Sequence, residues 1–122
     1  QLQMFIRDSV LNADVFVAAL RVRYENISVQ DKGQRFNTDL LEAIELGFLL
    51  DLAEVLALTS RERRESRGAH LREDFLARDD EKFMVHSMAY LTDKPANKPG
   101  DNIKVGWKPV IVTNYQPMER KY

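Results

Sequence analysis

The stretch "FNTDLLEAIELGFLLDLAEVLALTSRERRES", Phe36 to Ser66, decides what kind of fold this chain can build. Leu40, Leu41, Ile44, Phe48, Leu52, Val55 and Leu56 recur at helical spacing, with Glu42, Glu45, Asp51 and Glu54 set between them. That is the pattern of an amphipathic helix. Asp39 and Glu42 stand in the D-x-x-E relation of a capping box, with Asn37 and Thr38 as alternative caps. The run Gly47 to Leu50 widens the apolar stripe, which predicts a helix covered on more than one side. Gly47 costs about 1 kcal/mol against alanine in a helix interior, and its expected compensation is the close approach of a neighbouring helix. Carboxylates fill the first half and Arg61, Arg63 and Arg64 the last turns, which suits the helix dipole.

Two shorter helices are predicted upstream, over Leu2 to Val10 and Asp14 to Tyr24. In the second, Val15, Ala18, Ala19 and Val22 form the apolar face and Arg21, Arg23 and Glu25 the wet one. Ile27 to Asn37 reads as an irregular connection with a turn at Gly33. Downstream of Asp80, "EKFMVHSMAYL" alternates Met84, His86, Met88 and Tyr90 against Val85, Ser87 and Ala89. After a loop rich in Pro, Gly and Asn (Asp93 to Asn102), "IKVGWKPVIVTNY" returns as a second extended run. Two such runs make a β-hairpin, with Pro109 confined to an edge. The expected fold class is therefore mainly α: a three-helix, spectrin-repeat-like bundle over 1–67, then a charged motif, a short hairpin and an extended tail over 68–122.

The bulk properties exclude several functions. A chain of 122 residues fits one domain with a single core. Its net charge of −1 supplies no global field for nucleic acid or an anionic membrane. With no cysteine, disulfides, thiolate metal sites and thiol nucleophiles are absent. No run approaches the length of a membrane-spanning helix. The first residue is Gln1 rather than methionine, so the chain is expected to be a fragment of a longer one.

"SRGAHLREDFLARDD", Ser66 to Asp80, is the one stretch that invites a functional reading. His70 and His86 have no second ligand three or four residues away, which argues against a metal. Ser66 lacks the G-x-S-x-G elbow of a nucleophile, and Gly68 alone is no phosphate-cradling loop. The arginines are matched by acidic neighbours, which argues against nucleic acid. Asn26-Ile27-Ser28 matches the glycosylation sequon by chance, and Trp107, Tyr90 and Tyr115 read as hairpin packing. A dense alternation of Arg with Asp and Glu, beside a glycine that permits close backbone approach, fits a hydrogen-bonded seam against another piece of protein. Charges in such a seam are expensive to bury unless paired.

The same stretch resembles the S-R-G-x-H-x-R-x-D-x-x-x-R-D-D signature of the C-terminal domain of succinate dehydrogenase and fumarate reductase flavoprotein subunits. "RYENISVQDKGQRFNTDLLEAIELGFLLDLAEVLAL" resembles the helical part of that domain, and "WKPVIVTNYQPMERKY" the terminus of an actinobacterial-type succinate dehydrogenase flavoprotein. The resemblance runs from Arg23 to Tyr122; before it, the segment after Met4 is shorter than the family's usual helix, turn and helix. Leu76 and Ala77 stand where a proline is common.

The resemblance implies a parent enzyme that uses FAD to oxidise succinate to fumarate and passes electrons through iron–sulfur centres to quinone. It places the flavin and catalytic residues in preceding flavin-binding and capping domains, so no catalytic, cofactor or metal residue is expected here and the fragment alone is expected to be inactive. It implies that Ser66, Arg67, Gly68, His70, Arg72, Asp74, Arg78, Asp79 and Asp80, with the terminal Arg120 and Tyr122, form an interdomain interface facing the flavin-binding body, which would supply partners for the charges. The implied partners are those domains and an iron–sulfur subunit, without nucleic acid or direct membrane insertion. The implied location is the bacterial cytoplasm, peripheral on the inner membrane. The alternatives are the related tail of L-aspartate oxidase, against which "WKPV" and "PMERKY" count, and a free-standing helical interaction module.

Overall fold

The structure, a computed structural model, describes residues 2–93 and 100–118, with side chains from residue 12 onward. Its elements are helices α1 (Leu2–Tyr24), α2 (Thr38–Glu62) and α3 (Asp80–Phe83) and strands β1 (Val85–Leu91) and β2 (Ile103–Pro109). The mainly helical class with a C-terminal hairpin is as expected. The two short helices are instead one: Leu11, Asn12 and Ala13 contain neither glycine nor proline, and nothing breaks the helix between Val10 and Asp14. The described helical layer is thus an antiparallel-running pair, α1 against α2, and α3 is a single turn beyond it.

α2 is capped by Asn37, whose Oδ1 accepts from the Leu40 N–H at 2.8 Å; the capping box from Asp39 does not form the cap. Asn37 wins because its amide also donates to the carbonyls of Asp31 and Gly33, both at 3.0 Å, and so ties the preceding loop to the helix start. A carboxylate at position 39 has no N–H to give.

The seam between the helices is largely polar. Asp14, Val17, Arg21 and Tyr24 of α1 recur at intervals of three and four. They meet Gly47, Leu50, Glu54 and Arg61 of α2: Asp14 pairs with Arg61, Arg21 with both Asp51 and Glu54, and Tyr24 lies on Gly47. Val17 and Leu50 are the buried hydrophobic residues among those whose side chains are described. This reverses the face expected for α1, since Val15 and Val22 are 68% and 61% exposed and Arg21 points inward. The ion pairs with α2 and the fit of Tyr24 against a glycine choose the orientation, and both helices carry apolar side chains on their outer sides.

The close approach expected at Gly47 is present. A Cβ there would stand 2.5 Å from the Tyr24 hydroxyl and 2.9 Å from Cζ. Gly47→Ala is expected to destabilise the chain by about 1–2 kcal/mol, overpacking outweighing the gain in helix propensity. In a Tyr24→Ala background the same change should stabilise by about 1 kcal/mol. A double-mutant cycle by denaturant unfolding checks the sign reversal.

The hairpin pairs β1 with β2 antiparallel, with Val85 opposite Pro109, Ser87 opposite Trp107 and Leu91 opposite Ile103. Pro109 ends its strand, where the missing N–H costs least. Residues 81–83, which the alternation assigned to the first extended run, are helical because Asp79 caps them through a 3.0 Å bond from the Lys82 N–H. The hairpin is held against α2 by Glu54, which accepts from the Gly100 N–H at 2.5 Å. Gly100 takes φ +82 there.

Candidate interdomain interface

α2 ends at Glu62, and Arg63 leaves it in extended conformation. From that point alternate residues share a side, so Arg63, Glu65 and Arg67 project together. Glu65 is fully buried. Its Oε1 accepts from Arg63 Nη1 at 2.5 Å and Arg67 Nε at 2.8 Å; its Oε2 accepts from Arg67 Nη2 and the Asp79 N–H, each at 3.0 Å. The chain of charge continues outward, from Arg67 to Asp80 at 2.6 Å and from Asp80 to Arg78 at 2.9 Å. Burial drives Glu65 toward the neutral form, but the hydrogen bonds from Arg67, Asp79 and Arg63 outweigh it, and its carboxyl lies below the usual range. The bond from Arg67 lowers Asp80 likewise, with Arg78 adding to it.

Arg63 has its five N–H groups aimed at Glu65, the carbonyls of Phe83 and Val85, and the Ser87 hydroxyl, the last from both Nε and Nη2. Its guanidinium also lies over the rings of Phe83 and Trp107, 5.6 and 5.5 Å from their centres, and those two rings meet edge to face. One side chain therefore joins the helix end, the motif and the hairpin. Only a planar, five-donor cation can do this.

Arg72 caps α2 from the other side. Its Nη1 donates to the carbonyls of Ser60, Arg61 and Arg63 at 3.0 to 3.3 Å, which have no acceptor role left inside the helix. Its Nε and Nη2 grip Asp74 as a fork, at 2.7 and 2.6 Å, and Phe75 lies under the guanidinium at 5.2 Å. Its bond to Asp74 raises its pKa further.

Ser66 closes the loop with its hydroxyl 2.8 and 3.1 Å from the carbonyls of Phe75 and Arg72, while accepting from the Arg72 N–H at 2.8 Å. Its own N–H donates to the Ala77 carbonyl. Arg67 and His70 exchange both backbone hydrogen bonds around Gly68 and Ala69. Gly68 has φ +58, as the first central position of a type II′ turn requires. A Cβ on Gly68 would meet nothing within 4 Å, so the cost of Gly68→Ala is purely the left-handed backbone. It should be about 1–2 kcal/mol, read from denaturant midpoints, with the native fold otherwise intact.

The structure thus brings Ser66, Arg67, Gly68, His70, Arg72, Asp74, Arg78, Asp79 and Asp80 into one knot, with His70 Nε2 3.3 Å from the Arg63 carbonyl. Arg120 and Tyr122 lie outside the described residues. The external partners expected for the charges are in large part found within the chain. The sequence reading also missed Arg63 and Glu65, the two residues at the centre of the knot. The available signal was the alternation Arg63, Glu65, Arg67 immediately after a helix end. Outward-facing residues of the loop include Gly68, Ala69, Leu71, Leu76 and Asp80, with Arg78, whose Nη1 also donates to the Met118 carbonyl of the tail at 3.1 Å. Among the described residues no group of three His, Asp or Glu side chains could hold a metal ion, and no helix is long and apolar enough to cross a membrane.

The family model described as "Fumarate reductase flavoprotein C-term" matches residues 4–122. The fumarate reductase flavoprotein subunit of Haemophilus influenzae is 40% identical over 106 residues, 87% of this chain and 17% of that protein. The succinate dehydrogenase flavoprotein subunit of Rickettsia conorii is 37% identical over 97 residues, 80% of this chain and 15% of that one. Among solved structures, a quinol-fumarate reductase with menaquinol molecules superposes with a TM-score of 0.76 at 33% identity, covering 92% of this chain and 19% of its counterpart. The chain spans about one-sixth of the length of the curated relatives it matches.

Proposed function

The chain belongs to the C-terminal domain family of fumarate reductase and succinate dehydrogenase flavoprotein subunits, and from that premise we propose that it is the non-catalytic interface domain of a flavoenzyme interconverting succinate and fumarate. The observation that carries the reading is the knot at the end of α2, built on the residues of the family signature. Arg67, Arg72, Asp74, Asp79 and Asp80 spend their hydrogen bonds holding the loop rigid. The outer side of the loop, with Gly68, Leu71 and Arg78, is then a preorganised surface for the flavin-binding body of the same polypeptide, with His70 held behind it. Arg120 and Tyr122 belong to the same proposed interface. The loop's internal pairing means that these charges shape the surface more than they bind across it.

The described residues do not fit the flavin itself. A dinucleotide is held by a glycine-rich turn leading from a strand into a helix, whereas the described strands form an antiparallel hairpin and Gly68 and Gly100 occupy isolated turns. FAD, the dicarboxylate site and the iron–sulfur partner subunit are accordingly assigned to contacts of the preceding domains. The domain would work on the cytoplasmic face of a bacterial membrane through partner subunits, without inserting.

Purifying the native polypeptide that carries this sequence tests the proposal. The expected product is several times heavier than 14.2 kDa, bears covalent flavin fluorescence and oxidises succinate. A flavin-free polypeptide of this chain's own size would overturn it.

A further inference from the structure

Arg63 stands between two parts of the domain that the sequence keeps apart. On one side it donates to Glu65, the carboxylate that holds Arg67 and the Asp79 N–H of the signature loop. On the other it donates to the carbonyls of Phe83 and Val85 and to the Ser87 hydroxyl on β1. Trp107, opposite Ser87 on β2, sets its ring 5.5 Å from the guanidinium. The Arg63 side chain is only 13% exposed. A donor released from any of these partners therefore finds little water in exchange, and a buried donor left unpaired costs more than a made bond contributes. Glu65 is fully buried and is equally unable to replace a partner that moves away. The backbone between loop and hairpin adds little stiffness of its own. α3 is a single turn, too short to be stable alone, and its cap, Asp79, has its own N–H held by Glu65.

We propose that the hairpin controls the order of the signature loop, with Arg63 as the strut between them. Trp107 and β1 fix the guanidinium, the guanidinium fixes Glu65, and Glu65 fixes Arg67 and the start of α3. A disturbance at the hairpin is then felt at the loop, although the ring contacts of Trp107 are with Arg63 and Phe83 and not with the loop itself. The coupling runs through packed and hydrogen-bonded groups with no gap in the chain of contacts. A second tie points the same way: Arg78 of the loop donates to the Met118 carbonyl in the tail that continues from β2. The seam between α1 and α2, built on Asp14 with Arg61 and Arg21 with Asp51 and Glu54, shares no side chain with this strut. The inference deepens the reading above, whose interface is this loop, and rests on it for the loop's purpose but not for the contacts.

Hydrogen exchange read by mass spectrometry on the native polypeptide that carries this sequence tests it. In Trp107→Ala, peptides from Ser66 to Asp80 should exchange about tenfold faster, the loss of a partly desolvated cation–π contact carried to the loop. Peptides of α1 should keep their wild-type rates. Trp107→Phe keeps a ring face beside the guanidinium and should return the loop to within about twofold of wild type. Ser87→Ala removes only a hydroxyl that Arg63 reaches, leaves the hairpin able to fold, and should speed the loop about threefold. Loop rates unchanged in Trp107→Ala and Ser87→Ala, while the hairpin itself exchanges faster, would overturn the strut. A rise shared equally by α1 would mean a general loss of stability and would overturn it too. So would a phenylalanine variant as loose as the alanine one, since the ring face would then not be the link. Length and flavin content are measured on the same sample. A short, flavin-free polypeptide with the expected exchange pattern would fail the enzyme reading alone, and a long, flavin-bearing one with an indifferent loop would fail the strut alone.

Discussion

Glu65→Ala is expected to lower the unfolding free energy by about 3–5 kcal/mol, the cost of breaking a buried, hydrogen-bonded ion pair from one side. The carboxylate is fully enclosed and collects Arg63, Arg67 and the Asp79 N–H on its two oxygens. Its removal leaves two guanidiniums facing each other across a void, and frees the segment that starts α3. Arg63 keeps its carbonyls and its two rings, so the end of α2 should survive while the loop from Ser66 to Asp80 loosens. Guanidinium unfolding measures the free energy, and hydrogen exchange at the Asp79 and Arg67 amides locates the loss. A change below about 1 kcal/mol would mean that the knot is no more than surface ion pairing.

The same carboxylate sets an acid limit. Its folded pKa lies below its unfolded value, near 4.3. A depressed carboxylate contributes stability that is fully present above the unfolded value and disappears as pH falls through the folded one. The thermal midpoints of the wild-type chain and Glu65→Gln should therefore differ most at neutral pH, and the difference should shrink progressively as pH falls below the unfolded value toward the lower folded one. Asp80 is depressed in the same direction by Arg67 and Arg78, so a residual acid limb should remain in Glu65→Gln.

Arg72→Ala should cost a similar amount, about 3–5 kcal/mol. Asp74 would be left part-buried without its fork, and the carbonyls of Ser60, Arg61 and Arg63 would lose their cap. Arg72→Lys discriminates between charge and shape. A lysine restores one cation but cannot span Asp74 and three carbonyls at once, so it should recover less than half of the loss in a denaturant titration. Full recovery by lysine would show that the helix dipole, rather than the planar fork, is what Arg72 serves.

The long helix was legible from Phe36 to Ser66 because its apolar residues, its caps and its closing arginines all agree locally. The hairpin was legible for the same reason, through alternation and a turn-rich loop. The signature loop could be recognised as a unit from the order of its residues alone. The partners of its charges could not: Arg67 reaches Asp80, thirteen residues on, only because a type II′ turn at Gly68 and the single turn of α3 fold the motif back on itself. Glu65 looked like one carboxylate in a mixed run and is the most buried polar residue among those described.

The face of α1 shows the limit most plainly. Periodicity says which residues share a side of a helix, and Val15 with Val22 was a sound choice for the inner one. It carries no information on what the other helix offers. α2 offers Glu54, Asp51 and Arg61 to Arg21 and Asp14, and a glycine to the ring of Tyr24. Those contacts turn the valines outward. The sequence by itself determined the long helix, the hairpin, the class and the family, because these depend on neighbours within a few residues. Only the tertiary structure decided which faces meet and which charges pair, because those choices depend on groups tens of residues apart that are brought together by the fold.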